Sequence, residues 1–570
     1  MANADTQSLS RRKWLGLTPA LADASVGTGL LAPRAMADDQ LPAAAADNHL
    51  LGAKIYNIRD FGAVGDGKTL DTAAVQSAID ACNKDQGGTV LVPAGVFVIG
   101  TVELKSDVTL HIAAGGKLLG SGDGTQYHAA DAIPLTGDAT LADGNVGLIF
   151  AVNAENISIE GPGTIDGNGA LFHPAVRGTP PPSGRGGDNR PYHVLLYQCK
   201  NVVIHDLYLV ACAYHSIRVI QSSFVKIDGI HIYNRVNGNN DGFHFISSQY
   251  VHISNCDVQS QDDACAMFGS CKFFTITNSS FSTRWAVFRF GGGVAENVTI
   301  SNCLIYETYG CPIKMRCGPG SRFENISFSN LVMSSVNGPI DMELGPQSTL
   351  ATHSGEDTKQ PTQTPGIFRN ISFNGIRATV VDPLPLPGWP YANSYRPAEY
   401  KTCIVLNGVD AYLENITFNN VHMTFAGGGT AEEAANRDVP KIGGQYFELG
   451  ILPAYALYAR KVRGLTLSNV RFEVASPDLR PALAFDQIED AAINAMSAQG
   501  NKDATSLLRF TDSRDVLLSA ARVLTPSAVF LQVEGAASEN IIIDGGDLSK
   551  AATPTGFKAD APPGAVKLRA

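Results

Sequence analysis

Three aspartates in two short segments are the residues of this chain best suited to acid–base chemistry. Asp241 lies in residues 239–242 (NNDG), and Asp262 and Asp263 lie in residues 261–264 (QDDA). Neighbouring carboxyls repel one another when ionised, and burial raises the cost of ionising them further. Such a group often works as a tuned acid–base site, although a pair of aspartates can also belong to a solvated turn or a structural network.

The composition describes the kind of protein that must position these acids. The chain has 570 residues, of which 44% are hydrophobic and 17% charged, so it can bury a large core. Its net charge is −11, with no long basic run. That balance argues against nucleic acid or an anionic membrane surface as a partner, whereas a local basic cleft could still bind an anionic substrate.

The first residues resemble an export signal of the twin-arginine type. Arg11-Arg12 stand before a weakly apolar stretch, and Ala35-Met36-Ala37 offers a small-x-small cleavage site. We expect a signal peptide over residues 1–37, a linker over 38–53 and a periplasmic or secreted protein, the alternative being a disordered basic start. No segment approaches the roughly 18 continuous apolar residues of a membrane-spanning helix.

Ten cysteines are scattered through the sequence without a pair of C-x-x-C motifs, so a zinc site is not expected. Export would permit disulfides. Several of the cysteines lie in strand-like runs, which favours buried free thiols that pack as small hydrophobic groups.

A loose repeat runs from about residue 145, with the pattern Asn-apolar-x-apolar followed by a turn and another short strand. Between Asn201 and Asn325 its period is mostly in the twenties, and beyond that the spacing roughly doubles. The pattern predicts an all-β fold, a right-handed parallel β-helix built as a single-stranded solenoid over residues 54–570 with long loop insertions. The asparagines are expected to stack as an internal ladder. A helix from Asp71 to about Cys82 should cap the first coil.

Four stretches interrupt or extend this pattern. Residues 173–192 are rich in Pro, Gly and Arg, and residues 382–400 carry Trp389, Tyr391 and Tyr395, which would either stack on sugar faces or pack within their loop. Residues 427–448 form a polar insert without an assigned structure. Residues 484–506 are rich in alanine and predict a short helix or a loop.

Together the opening DFGAVGDGKTLDTAAVQSAI, the coil repeat and the acidic segments resemble the polygalacturonase family, glycoside hydrolase family 28, over about residues 55–475. Asp241 and Asp262 are 21 residues apart, about one coil, which would place the acids on one face of neighbouring turns. The resemblance implies an inverting hydrolase. Asp262 would be the general acid, and Asp241 and Asp263 would hold and deprotonate the attacking water.

Two family motifs are altered here. Residues 283–285 (TRW) stand where Gly-His-Gly is usual, and residues 312–314 (PIK) keep the lysine of Arg-Ile-Lys but lack its arginine. The resemblance implies that Lys314 contacts the substrate, together with Asn239 beside the first acid. Arg284, Arg289 and Arg316 are the candidates for the missing anion-binding or acid-tuning role, although each could brace a loop instead. His244 is a further nearby ring that could equally be an ordinary strand residue.

These observations favour a secreted glycoside hydrolase that acts on a pectin-like polysaccharide or oligosaccharide, as a monomer and without a metal or cofactor. A polysaccharide lyase acting on a uronate-containing glycan is one alternative, which would need an acidic calcium site and a base for the proton α to the uronate carboxyl. A non-catalytic glycan-binding β-helix with a degenerate site is the other.

Overall fold

Short parallel strands dominate the computed structural model of the chain, which describes residues 52–136, 141–176, 178–346, 364–382, 401–443 and 448–569. Every pairing between its strands is parallel, and each strand away from the two ends pairs with strands of the preceding and following coils. Parallel crossovers of this kind are right-handed. The predicted all-β, right-handed parallel β-helix is therefore confirmed.

Three parallel sheets form the faces of the β-helix. Sheet 1 contains Ile55–Asn57, Gly88–Val92, Val108–Ile112, Glu155–Glu160, Lys200–His205, Ser223–Asp228, Gln249–Ser254, Glu489–Asn494 and Val566–Arg569. Sheet 2 contains Asp66–Leu70, Gly95–Ile99, Gly116–Gly120, Thr164–Asp166, Tyr208–Val210, His231–Asn234, Asp257–Ser260, Ser280–Thr283, Leu304–Thr308 and Ser497–Ala498. Sheet 3 contains Val102–Glu103, Gly147–Val152, Tyr192–Tyr197, Ile217–Ile220, Phe243–Ile246, Cys311–Cys317, Ile340–Leu344, Ile404–Gly408, Leu457–Arg460, Leu483–Asp486, Leu508–Thr511, Ser527–Glu534 and Ala551–Lys558.

Longer strands bend from one sheet into the next without a break. Two of them leave sheet 3 and enter sheet 1: Cys265–Thr277 and Ala286–Ser301. Six leave sheet 1 and enter sheet 2: Arg322–Val336, Ile367–Val380, Leu413–Gly427, Val462–Ser476, Arg514–Val523 and Glu539–Asp547.

Helical segments are few among the described residues. The α-helix predicted near the start spans Thr72–Lys84, and a second α-helix spans Ala431–Ala435. The first packs Val75, Ala78 and Ile79 into the core. The 3₁₀ segments are Ile58–Phe61, Gly124–Gln126, Leu141–Asp143, Gly169–Phe172, Gly187–Asn189 and Pro563–Ala565. No helix among the described residues is long and apolar enough to cross a membrane.

The core is a stack of identical positions in successive coils. Alternate residues of each strand point inward, so the same side of every coil buries an apolar side chain against its neighbours. In sheet 1 one such inward column is Val202, Val225, Val251, Phe274, Val298, Ile326, Ile371, Ile416 and Leu465. Burying each apolar side chain stabilises the fold by roughly 1.5–3 kcal/mol relative to leaving that side chain in water, so the stack stabilises the whole β-helix.

The repeated asparagines do form a ladder, but it lies on the outside of the coil. Asn325, Asn370 and Asn415 have φ between 54° and 59°, and each donates to the side-chain oxygen of the asparagine one coil earlier, at 3.1–3.3 Å. Asparagine tolerates the left-handed conformation better than most residues, which explains the repeat at this bend. The expected internal position was wrong because the bend turns these side chains toward solvent.

One sequence prediction differs from the structure, and others concern residues outside the described part of the chain. Residues 484–506 are not a helix: they contribute strands to another coil, because Ala491 and Ile493 alternate inward and burial outweighs the helix propensity of alanine. All ten cysteines are buried and free, as expected. The predicted signal peptide, residues 38–51 of the predicted linker, and the aromatic residues Trp389, Tyr391 and Tyr395 lie outside the described residues.

Candidate active site

The two acidic segments lie in adjacent coils, at the turns that lead from sheet 2 into sheet 3. The backbone N–H of Gly242 donates to the carbonyl of Asp263 at 2.9 Å, and the N–H of Asp262 donates to the carbonyl of Asn240 at 3.1 Å. The spacing of 21 residues therefore corresponds to one turn of the β-helix. The rigid sheet behind each turn holds the three carboxyls in one place.

Asp241 is buried and flanked by two histidines. His244 Nδ1 lies 2.8 Å from Asp241 Oδ2, and His215 Nε2 lies 3.6 Å from Oδ1. The two imidazole rings stack at 4.5 Å between centroids and are nearly parallel, and Phe268 stacks on the other face of His244. Burial lowers the pKa of both histidines well below the usual value, so both rings are neutral at pH 7.

His215 is a site residue that the sequence alone did not reveal. The N–H of Ser216 donates to the carbonyl of Asp241 at 3.0 Å, so His215 occupies the equivalent turn one coil earlier. Counting back one coil from Asp241 would have pointed to this segment, but the match depends on the register of the turns.

A network of amides fixes the turn that carries Asp241. Asn240 accepts from the N–H groups of Val236 and Asn237 and donates to the carbonyls of Cys212 and Tyr214. From the Pro-, Gly- and Arg-rich insert, Arg190 donates to the carbonyl of Gly238 at 2.8 Å. The insert thus braces the turn that carries Asp241.

Asp262 is the most accessible of the three acids. It is partly exposed, whereas Asp241 and Asp263 are buried. The exposed amide of Asn239 donates to Asp262 Oδ2 at 3.3 Å, and Asp263 Oδ1 accepts from the N–H of Ala286 at 3.3 Å. A substrate entering from solvent would therefore meet Asp262 and Asn239 first.

The acids repel one another, and their environment is poorly solvated. Burial, and then the charge of Asp263, raises the pKa of Asp262 to about 7. Burial, followed by the charges of Asp262 and Asp263, raises the pKa of Asp241 well above its usual value. Burial also raises the pKa of Asp263, against the opposing charges of Arg289 and Lys314. A carboxyl that still holds its proton near neutrality is suited to general acid catalysis.

Three cations on the outer face of sheet 3 lie in the strands of the next two coils after the acids, and we call them the cation row. Arg289 and Lys314 are partners in neighbouring strands, and Arg316 lies two residues further along the strand of Lys314. Lys314 Nζ lies 4.5 Å from the centroid of the Trp285 ring. Burial, and then the charge of Arg289, lowers the pKa of Lys314 to about 7. A bound anion would relieve this mutual repulsion.

Arg284 occupies a different position. Its guanidinium packs over the Tyr309 ring at 5.5 Å, and it forms no hydrogen bond or ion pair with the three acids in the described part of the structure. Of the predicted substrate-binding residues, the structure therefore brings Asn239, Arg289 and Lys314 close to the acids. Arg316 stands beside them, and Arg284 is turned toward Tyr309.

Polar atoms without partners gather around these groups. Among the described residues, His244 Nε2, Arg289 Nε and Nη1, and Arg316 Nε are buried and have no hydrogen-bond partner. Leaving such groups unsatisfied is costly, and they are rare in folded proteins. Their concentration beside the acids is typical of a site that completes its hydrogen bonds with a ligand.

Two further acids that sequence analysis missed continue the row. Asp341 and Glu343 are the partners of Lys314 and Arg316 in the next strand, and both are buried. Burial, and then the charge of Asp341, raises the pKa of Glu343 well above its usual value. In the sequence the two acids alternate with apolar residues, which predicts that they face outward, but only the strand register shows that they lie beside Lys314 and Arg316.

The geometry does not suit a metal ion. His215, Asp241 and His244 bring possible ligand atoms within 4.8 Å of one another. A metal bound by imidazole lies in the plane of the ring. Two rings stacked face to face, with planes only 8° from parallel, cannot both direct their lone pairs at one ion. The cluster is better suited to holding the Asp241 carboxyl.

Known proteins share this sequence pattern and this fold. The sequence model described as Glycosyl hydrolases family 28 matches residues 82–385. A probable polygalacturonase of Vitis vinifera is 34% identical over 215 residues, which are 36% of this chain and 43% of that protein. An exo-poly-alpha-D-galacturonosidase of Dickeya chrysanthemi is 26% identical over 382 residues, 57% of this chain and 62% of that protein. The chain thus spans less than two thirds of the length of either relative.

A solved structure gives the same picture of the fold. The hyperthermoactive exopolygalacturonase from Thermotoga maritima superposes with a TM-score of 0.51 and 17% identity, covering 74% of this chain and 92% of that one. At this identity the likeness concerns the β-helix alone.

Proposed function

The chain belongs to glycosyl hydrolase family 28, and we propose that it hydrolyses O-glycosidic bonds in a pectin-like polysaccharide or oligosaccharide. The observation that carries this proposal is the group of three aspartates in adjacent coils, of which the most accessible, Asp262, has a pKa raised to about 7. The relatives of the chain that are named polygalacturonases support a pectic substrate.

The proposed reaction is a single displacement with inversion. Asp262 donates its proton to the leaving glycosidic oxygen, while Asp241 and Asp263 orient a water molecule and take its proton as it attacks the anomeric carbon. In the tautomer with a proton on Nδ1, His244 donates to Asp241 and stabilises its carboxylate form. In this scheme His244 supports the acidic group through its contact with Asp241.

A uronate is the sugar that this cation row would hold. Arg289, Lys314 and Arg316 offer positive charge within two coils of the acids, and a planar guanidinium pairs well with a carboxylate. We propose that Arg289 and Arg316 supply the charge that is lost with the arginine of Arg-Ile-Lys.

The substitution Asp262→Asn tests the assignment. Loss of general acid catalysis should lower turnover by about 10²–10⁴-fold. Release of reducing ends would be measured on pectic, rhamnogalacturonan and neutral glycans, with circular dichroism to verify folding. Asp257→Asn, an acid on sheet 2, is the matched control. Near wild-type turnover of a folded Asp262→Asn variant would refute the role.

Product chemistry separates the remaining alternatives. Proton NMR of the first-formed product should show the anomeric configuration inverted, and retention would contradict the single displacement. A product that absorbs as an unsaturated uronate, with activity sensitive to EDTA, would instead identify a lyase. Binding without turnover across the whole panel would indicate a non-catalytic protein.

We also propose that residues 1–37 direct export through a twin-arginine route. The Arg11-Arg12 pair before a weakly apolar stretch supports this proposal. Changing both arginines to lysine should retain the protein in the cytoplasmic fraction of a bacterial host, which cell fractionation would measure. Unchanged export would rule out this signal.

A further inference from the structure

The polar insert after residue 427 forms a strap along the outer face of sheet 3. The strap consists of residues 430–443, and successive coils hold it by its backbone carbonyls. Arg509 donates to Ala434, Arg460 donates to Val439 and Pro440 at 2.9 and 2.6 Å, and Asn407 donates to Ile442 at 2.9 Å. A helical turn with a capping box begins the strap at Thr430.

Gly443, the last residue of the strap as defined here, lies beside the cation row. Arg316 Nη2 donates to the carbonyl of Gly443 at 3.0 Å, and the N–H of Gly443 donates to the carbonyl of Pro346. Glycine is needed here, since a Cβ would lie 2.6 Å from the carbonyl oxygen of Gly345. The strand of Arg316 is the second after the strand that follows Asp262 and Asp263. At about 4.8 Å per strand, the strap ends roughly 10 Å from the coil of these acids.

An apolar wall covers the same face on the other side of the acids. Ile133 and Leu141, from the loop before residue 147, belong to one buried cluster with Tyr192, Tyr214 and Ile246. Ile246 is in the strand that directly follows Asp241. The wall therefore reaches the coil of the first acid.

Between the wall and the strap, the described side chains that reach solvent are few. On the outer face of sheet 3 they include the partly exposed Phe268 and Arg289. At the neighbouring turns they include the exposed Asn239 and the partly exposed Asp262, Arg284 and Trp285. The acids and cations are stacked along the axis of the β-helix, so a glycan that used both would lie along that axis. Such a glycan meets a covered face in either direction.

We infer that the site is a short pocket that receives the end of a glycan chain, so the protein releases small products from chain ends and does not cut chain interiors. This inference rests on the proposed function and adds its mode of attack. An interior cut needs a groove that lets the chain continue past the catalytic acids on both sides, and the strap and the apolar wall close this one.

The first arm of the test follows hydrolysis of polygalacturonate and rhamnogalacturonan by the whole protein. We expect one small product from the earliest time point, with little loss of viscosity for each new reducing end. A ladder of long oligosaccharides with a steep early fall in viscosity would overturn the inference. Total absence of new reducing ends would count against the proposed function instead.

The second arm does not depend on turnover. Asp262→Asn protein is titrated by calorimetry with size fractions of the same two glycans. Chain-end binding predicts a stoichiometry per chain that stays constant as the chains lengthen. A stoichiometry that grows with chain length would show binding along the interior and overturn the inference, whatever the enzyme hydrolyses.

Variants of the strap complete the test. Replacing residues 437–442 with a short Gly-Ser linker should raise the viscosity loss per bond cleaved several-fold, and Gly443→Ala, which displaces only the strap end, should act in the same direction. The control is Arg377→Ala, which removes an exposed arginine that also bonds a backbone carbonyl, that of Asn420. Folded strap variants whose product pattern equals that of the wild type would contradict the role of the strap.

Discussion

At the scale of single residues, the site depends on how burial divides protons among three carboxyls. Ionisation of all three in one buried group is unfavourable, so a proton is retained near neutral pH. The pKa values of Asp241 and Asp262 are both raised, so the group shares this proton, and Asp262 is the member that can present it to a substrate, beside the exposed amide of Asn239. Asp241 is held by neutral histidines that can donate to its ionised form.

The proton on Asp262 predicts how activity depends on pH. Asp262, the proposed general acid, must be protonated, and burial and the charge of Asp263 raise its pKa to about 7, so kcat/KM should fall as the pH rises through about 7. As the pH decreases below about 7, kcat/KM should also decrease, because the base becomes protonated. Initial rates between about pH 4 and pH 9 on the best glycan of the panel would show this profile. A rate that keeps rising above pH 8 would contradict an acid with this pKa.

His244 should act as a positioning residue for Asp241. His244→Leu removes the hydrogen bond to the carboxylate, so we expect kcat to fall about tenfold to hundredfold with little change in KM, as for a lost hydrogen bond to a charged group. The acidic limb of the pH profile should move to higher pH because the carboxylate form loses its donor. Steady-state kinetics across pH would measure both effects.

His244→Asn keeps a donor near the Nδ1 position and should recover part of kcat. His231→Leu is the control, because His231 is an exposed ring that stacks on Tyr208 in sheet 2. A His244→Leu variant that lost stability but kept the wild-type pH profile would show that the ring is only a packing element.

The aspartates were predictable from sequence because their spacing equals one coil, and the coil length could be read from the asparagine repeat. His215 and Glu343 were not predictable in the same way. Both depend on the register between coils. The alternation of residues 340–344 (IDMEL) predicts that Glu343 faces outward, but it does not show that Glu343 lies beside Arg316. Arg284 shows the opposite error. It lies close to the acids in sequence, but its side chain packs over the Tyr309 ring.

At the scale of elements, the outward asparagines set the bend between coils and link each coil to the next. Asn370 donates to Asn325 and accepts from Asn415, both at 3.1 Å, and its φ is 59°. Its side chain is exposed to water, so its left-handed backbone conformation must be considered beside its two hydrogen bonds. Asparagine therefore recurs because the backbone at this bend is left-handed, and this recurrence allowed the fold to be predicted.

Substitutions at Asn370 would separate these two contributions. Asn370→Ala loses both hydrogen bonds and must adopt a left-handed conformation that costs roughly 1–2 kcal/mol. Asn370→Gly loses the same bonds without the backbone cost, so the melting temperature should fall less for glycine than for alanine. Thermal unfolding followed by circular dichroism would compare the two. Equal losses would assign the whole effect to the hydrogen bonds.

The bends and the core period were predictable, whereas the course of the inserts was not. Nothing in residues 430–443 shows that they lie along sheet 3, because their anchors are arginines and an asparagine far away in sequence. Arg460 illustrates the difficulty: in the sequence it is a charge at the end of a strand, and in the structure it is buried under the strap. Long-range contacts of this kind have no local pattern.

At the scale of the whole molecule, the β-helix is stabilised without covalent links. All ten cysteines are buried and free, and several lie in strands that fill the interior. Burial raises the pKa of Cys212 and Cys256 to about 12, and that of Cys265 well above its usual value. The reactive form of cysteine is the thiolate, so these side chains should be chemically inert in the folded protein.

Thiol titration gives the corresponding prediction. In the native protein an aromatic disulfide reagent should react with few or none of the ten thiols, and in denaturant without reductant it should react with all ten. The melting temperature should not change when a reductant is added, because no disulfide constrains the unfolded chain. Fewer than ten reactive thiols in denaturant, together with a melting temperature that drops in reductant, would mean that the protein forms disulfides. Its stability would then depend on oxidation and not only on the stacking of apolar coils.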